Sequence, residues 1–186
     1  MSTSVVDLLM HPVRIRIVNA LYAGRTLTTA ELRARMPGTS QATVYRHVAA
    51  LAEGGVLEVD GEERVRGTVE RRYRLREDQV RFDDAAAAAM SREDHRRVFT
   101  AAMAALLAEF NSYLDRSDAN PRQDSVSYRQ CVVWLSETEL ETLVAQVTAA
   151  LTTLSPREPT ADRTPYLLST ILFPAEKRGG TIARDA

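Results

Sequence analysis

The sequence holds a single cysteine, Cys131, among 186 residues, which excludes an intrachain disulfide and a cysteine-rich metal cluster. No apolar run approaches the roughly 20 residues needed to cross a bilayer, so no membrane partner is expected. The opening MSTSVVDLLMHP lacks a basic segment followed by an apolar stretch, and with it the pattern of a secretory signal. Both features predict a cytoplasmic protein. The three histidines, His11, His47 and His95, lie far apart without ligand spacing, which argues against a metal. The C-terminal half shows no nucleophile-base pair, glycine-rich phosphate loop or metal triad, so neither an enzyme nor a cofactor is expected. Lysine is nearly missing as well. Lys177 is the only lysine among 24 basic residues, which reads as codon usage and not as function.

What remains has globular composition, with 45% hydrophobic and 26% charged residues. The net charge of −1 conceals an asymmetry. Residues 1–76 carry 12 arginines against 8 acidic residues and sum to +4, while the rest sums to −5. A basic front on an acidic back fits a chain of which one part meets a polyanion.

Along the front, Leu8, Leu9, Ile15, Val18 and Leu21 recur at helical intervals, and Pro12 suits the first turn of a helix that begins near His11. Thr28 and Thr29 offer an N-cap for a short helix through Met36, stopped by Pro37-Gly38. Ser40 is the expected cap of a third helix to Ala52, ended by Gly54-Gly55. From Val56 the period changes to two. Leu57, Val59, Val65, Val69, Tyr73 and Leu75 alternate with charged residues, which predicts a half-buried hairpin with Gly67-Thr68 at its tip.

In the third helix Val44, Val48 and Leu51 define a core face, which His47 joins as a packing residue. The opposite face presents Ser40, Gln41, Thr43, Tyr45 and Arg46. Gln can pair bidentately with adenine and Arg with guanine, while Thr and Tyr reach phosphates. The hairpin adds Arg64, Arg66, Arg71, Arg72 and Arg74, suited to phosphate or minor-groove contact. Local pairing with Glu62, Glu63 and Glu70 is the competing account of these arginines.

The segments DLLMHPVRIRIVNAL, TTAELRARM, SQATVYRHVAALAEGGVLEV and RVRGTVERRYRL resemble the ArsR-type winged helix-turn-helix transcriptional regulators, in their metal-independent actinobacterial branch. The resemblance covers the first seventy-six or so residues; WLSETELETLVAQV and PYLLSTILFP resemble the C-terminal region of that branch with less specificity. It implies a homodimeric repressor on a palindromic double-stranded DNA operator, with recognition helix 40–52 in the major groove and a wing near residues 64–72. The paired cysteines of the metal sensors are absent from TTAELRARM.

Ser91 and Asp94 form an S-x-x-D capping box before a long helix to Leu114, with Phe99, Met103, Leu106, Phe110 and Tyr113 along one stripe. That stripe is too wide for water and predicts pairing with a second copy. An apolar strand at 130–135, a helix capped by Ser136 with Glu139, and a second apolar strand at 166–173 follow. The expected fold is α+β and mainly helical: a winged helix-turn-helix domain (1–76), a dimerisation and effector region (77–175) with a long helix and a β-α-β segment, and a flexible tail (176–186). Cys131, within the first strand, is expected to be buried and inert. An effector, if the chain takes one, would be an apolar small molecule against Phe99, Met103, Tyr128, Trp134 and Tyr166; the competing reading makes these five plain core. A winged-helix module that binds protein and not DNA is the alternative function.

Overall fold

A computed structural model describes residues 5–65, 68–80, 88–154 and 160–175. The chain divides into two compact units, Met1–Ser125 and Val126–Ala186. The long helix therefore groups with the N-terminal elements, whereas the sequence placed a boundary at residue 76.

The first unit opens with α1 (Val5–Leu9) and α2 (Pro12–Leu21). His11 caps α2, its Nδ1 accepting from the Val13 N–H at 3.2 Å, with Pro12 in the first turn, where a missing N–H costs nothing. Helix α3 (Thr29–Ala34) starts at a full capping box. Thr28 Oγ1 accepts from the Glu31 N–H at 3.2 Å, and the Glu31 carboxylate accepts from the Thr28 N–H at 2.8 Å. Helix α4 (Gln41–Glu53) is capped by Ser40 and stops at two glycines with different tasks. Gly55 takes φ +74°, which disfavours a side chain, whereas a Cβ on Gly54 would collide with Leu8 of α1.

Three antiparallel strands follow the order β1-β3-β2. Strands β2 (Leu57–Val65) and β3 (Thr68–Leu75) form the expected hairpin, in register from Leu57↔Leu75 to Val65↔Thr68. Thr68 opens β3, and Gly67, also assigned to the tip, lies outside the described residues. The third strand, β1 (Thr26–Thr28), pairs Leu27 with Tyr73 and has too few residues to announce itself by alternation. One parity was expected to face inward throughout, yet Val59 and Val69 are exposed, and among the described side chains only Leu57 and Leu75 at the base are buried. A register shift between Val59 and Gly61 breaks the alternation, and the outer hairpin extends past the core that its inner end covers.

The core is one cluster in which Ile17, Leu21, Leu32, Met36, Val44, Val48, Leu51 and Val56 are nearly sealed from water. A short α5 (Glu77–Val80) leads on. Helix α6 (Arg92–Leu114) begins at the expected Ser91–Asp94 capping box and packs on α2. Its buried residues are Ala101 and Ala105, not the aromatic stripe. Phe99 stays 47% exposed and Leu107 61%, while Met103, Leu106, Phe110 and Tyr113 are half-buried. Small side chains let α6 approach α2 closely, so the bulky ones turn the other way.

In the second unit, α7 (Glu137–Leu154) carries the expected cap, the Glu139 N–H donating to Ser136 Oγ at 3.3 Å. The two flanking strands are a correction. Residues 130–135 and 166–173 have no strand pairing. A strand exists through its ladder, and neither segment meets a partner among the described residues. Cys131 is accordingly exposed, contrary to its expected burial. The tail 176–186 lies outside the described residues. Among them, no helix is long and apolar enough to cross a membrane.

Leu51, fully buried behind α4, tests whether the hydrophobic cluster holds that helix. Leu51→Ala leaves a cavity in a sealed site and should cost about 2–5 kcal/mol in urea unfolding. A loss under about 1 kcal/mol would mean that α4 is held elsewhere.

Candidate nucleic-acid interface

The back of α4 is closed: Val44, Val48 and Leu51 are at most 1% exposed. Its front is open, with Gln41, Tyr45, Arg46 and Ala49 all exposed. No hydrogen bond or ion pair among the described residues engages the Gln41 amide or the Arg46 guanidinium. Both retain their full hydrogen-bonding capacity toward an incoming base edge or phosphate. Ser40 and the half-buried Thr43 differ. Their hydroxyls lie 2.8 Å apart and the Thr43 N–H donates to Ser40 Oγ at 3.2 Å, so this pair builds the helix end.

The hairpin arginines separate in the same way. Arg64 and Arg71 are exposed, and Arg71 stands 3.5 Å from the Glu62 carboxylate, a surface pair of small energetic weight. Arg72 is half-buried and donates from Nη2 to the Thr26 carbonyl at 3.0 Å, tying β3 to β1. Its guanidinium is thus committed to the sheet. Arg74 donates from Nε to Glu58 at 3.0 Å, so at this position local ion pairing accounts for the charge. Arg66 lies outside the described residues.

Helix α4 and the hairpin flank a cleft, lined by Tyr45, Val48 and Ala49 from α4, by Val69, Glu70, Arg71 and Tyr73 from β3, and by Glu62 and Thr29. Its lining mixes apolar groups with one cation, Arg71, and two carboxylates, Glu62 and Glu70. Ala49 was not singled out in the sequence, and Val69 and Tyr73 were read only as the apolar parity of the hairpin. Ala49 falls one turn after Tyr45, and 69, 71 and 73 alternate along β3, so periodicity held the signal. The approach of the two elements did not show in it.

Behind α4 lies a buried polar group. His47 is 4% exposed, takes a hydrogen bond at Nδ1 from Arg14 Nε at 3.2 Å, and stacks 4.1 Å from the His11 ring. Arg14 also donates to the Leu8 carbonyl at 3.1 Å, linking α1, α2 and α4. Since Nδ1 accepts, Nε2 carries the proton of the neutral ring, and it finds no partner among the described residues. Burial first, then the charges of His11, Arg14 and Arg46, push its pKa down to about 4. The same causes, burial and then Arg14 and Arg46, lower His11.

The five aromatic and methionine residues named for an effector fall in both units. Phe99 and Met103 lie on α6. Tyr128, Trp134 and Tyr166 lie in the second unit and are strongly exposed, Trp134 at 82%. None of the five lines the cleft. Among the described residues, no group of three histidine, cysteine or acidic side chains could hold a metal.

Residues 9–60 match the family model of a helix-turn-helix domain. The match runs from the end of α1 through α4 into β2 and points to a DNA-binding regulator in general. No curated protein matches the chain. Helices α3 and α4 both fall inside the matched span, and α4 is the one whose front is free.

The domain's stability should depend on pH through His47. Its folded-state pKa lies below the usual 6.5, so the unfolded chain takes up the proton first. The contribution is complete above pH 6.5 and declines as the pH falls toward 4. Unfolding at pH 5 should need about 1–2 kcal/mol less than at pH 7.5. His47→Gln should flatten that slope; an unchanged slope would assign it to other groups.

Proposed function

We propose that the chain is a homodimeric transcriptional repressor that reads a palindromic DNA operator with α4 and braces the duplex with the β2–β3 wing. The observation that carries this reading is the open front of α4, where Gln41, Tyr45 and Arg46 project together from a helix whose back is sealed. A helix presented this way fits the major groove with its N-terminal residues toward base edges. On the hairpin beside it, the exposed Arg64 and Arg71 support contact with the phosphate backbone.

Dimerisation draws support from apolar surface the described chain leaves open. Phe99, Leu107 and Leu114 stand exposed along α6, and Leu140, Val144 and Leu154 along α7. A second copy covering such faces would set two recognition helices about one DNA turn apart, ~34 Å or a multiple. Apolar surface that the second copy leaves open is where an apolar effector would bind.

Fluorescence anisotropy on DNA from the protein's own promoter tests the reading. Affinity of only ~10⁻⁴–10⁻⁶ M at physiological salt is the non-specific level and would favour a protein-binding role for the domain. Arg46→Ala should cost about 1–3 kcal/mol on the operator and much less on random DNA; equal losses would make Arg46 a phosphate contact. Arg71→Ala should weaken every sequence alike and lower the slope of log K against log salt by about one. A slope identical to the parent's would remove Arg71 from the footprint.

A further inference from the structure

Arg16 stands in the middle of α2, between the apolar side chains Ile15 and Ile17, and is 5% exposed. Burying a guanidinium is costly unless its charge and its N–H groups are all answered. The answer comes entirely from α6. Nε donates to Glu109 Oε1 at 2.7 Å, and Nη2 donates to Ser112 Oγ at 3.3 Å. Ser112 in turn gives its own hydrogen to the Ala108 carbonyl at 2.8 Å, which leaves an oxygen lone pair for Arg16. The buried residues of α6, which packs on α2, are Ala101 and Ala105. Two alanines permit close approach but give little purchase: a methyl group one turn away offers nearly the same surface. The alanine contact holds α6 near α2 without setting how far along it lies.

We propose that Arg16, Glu109 and Ser112 form a register pin, which fixes α6 at one position along α2 and so fixes the half-site spacing the protein accepts. The inference rests on the reading of the chain as a dimeric operator-binding protein. Its physical basis is the asymmetry of an ion pair whose cation is buried and whose carboxylate is partly exposed. Such a pair adds little net stability over an apolar replacement, but a shift by one turn strands the buried Arg16 guanidinium without its partner. Sliding is thereby penalised while docking itself is not. With the bulky face of α6 directed away from α2, the position of α6 on α2 sets where each recognition helix sits relative to whatever α6 joins. Arg16, Glu109 and Ser112 are positioning residues, remote from the base-reading side chains.

The test replaces the pair by apolar groups, Arg16→Met with Glu109→Leu, so that no lone charge is left behind. Glu109→Gln serves as a milder second variant that keeps a hydrogen-bond acceptor. Spin labels at Glu53→Cys on α4 and Ala104→Cys on α6, in a Cys131→Ser background diluted with unlabelled chain, report register without DNA. The parent should give one narrow distance. The apolar double variant should give a broadened distribution, or a second population displaced by about one helical turn, ~5 Å. A distribution as narrow as the parent's, at the same distance, overturns the pin. On DNA, operators selected in vitro are lengthened by one or two base pairs between half-sites. The parent should lose at least about tenfold in affinity, and the double variant no more than about threefold, with unchanged binding to random DNA. A double variant as intolerant of insertion as the parent overturns the proposal. If no DNA is bound specifically by the parent, the regulator reading falls, and the label distances still decide the pin.

Discussion

The sealed contact behind α4 is the constraint on which the rest depends. Val44, Val48 and Leu51 meet Ile17, Leu21, Leu32 and Met36 in one cluster, and the base of the hairpin closes it with Val56, Leu57 and Leu75. Burial on that scale, at about 25 cal/mol per Å² of apolar surface, is the main force that orders a small domain. It also orients. With three side chains of one helix face locked, the opposite face cannot turn inward, and Gln41, Tyr45 and Arg46 stay directed at solvent. His47 is the exception on the buried side, a polar ring kept neutral by the burial around it and held in place by Arg14.

Arginine serves two opposed purposes in this domain. Arg14, Arg16, Arg72 and Arg74 are spent on partners within the protein, an imidazole, a partly exposed carboxylate, a strand carbonyl and a surface glutamate respectively. Arg46 and Arg64 are exposed and make no side-chain hydrogen bond or ion pair among the described residues. Only the second kind can release counterions from DNA at no internal cost. A count of basic residues mixes the two. The excess of +4 in residues 1–76 therefore overstates what a duplex would meet.

The second half of the chain raises a different problem of burial. Helix α6 uses its alanines on α2 and leaves its large side chains half-covered, while α7 has no buried residue at all. Segments 130–135 and 166–173 are uncharged and apolar, yet unpaired. Their composition suits strands with both faces covered, which requires neighbours that the described residues do not supply. Apolar surface of this extent is characteristic of a surface that another molecule covers.

Local chemistry was legible from the residues alone. Caps at Ser40, Ser91 and Ser136, the proline at the start of α2, the glycines after α4 and the change of period at Val56 each act within a few residues, and each stands where the sequence put it. The polar front of α4 followed from spacing in the same way. Tertiary packing decided the rest, because it joins residues that no local rule relates. It gave Arg72 to Thr26 and Arg16 to Glu109, turned Val59 and Val69 outward past a break in register, brought Tyr45 beside Val69, and chose the alanine face of α6 over the aromatic one. Periodicity shows that a helix has a face to bury. Which face lies against its own domain depends on how closely two helices can approach, and that is settled only when both are present.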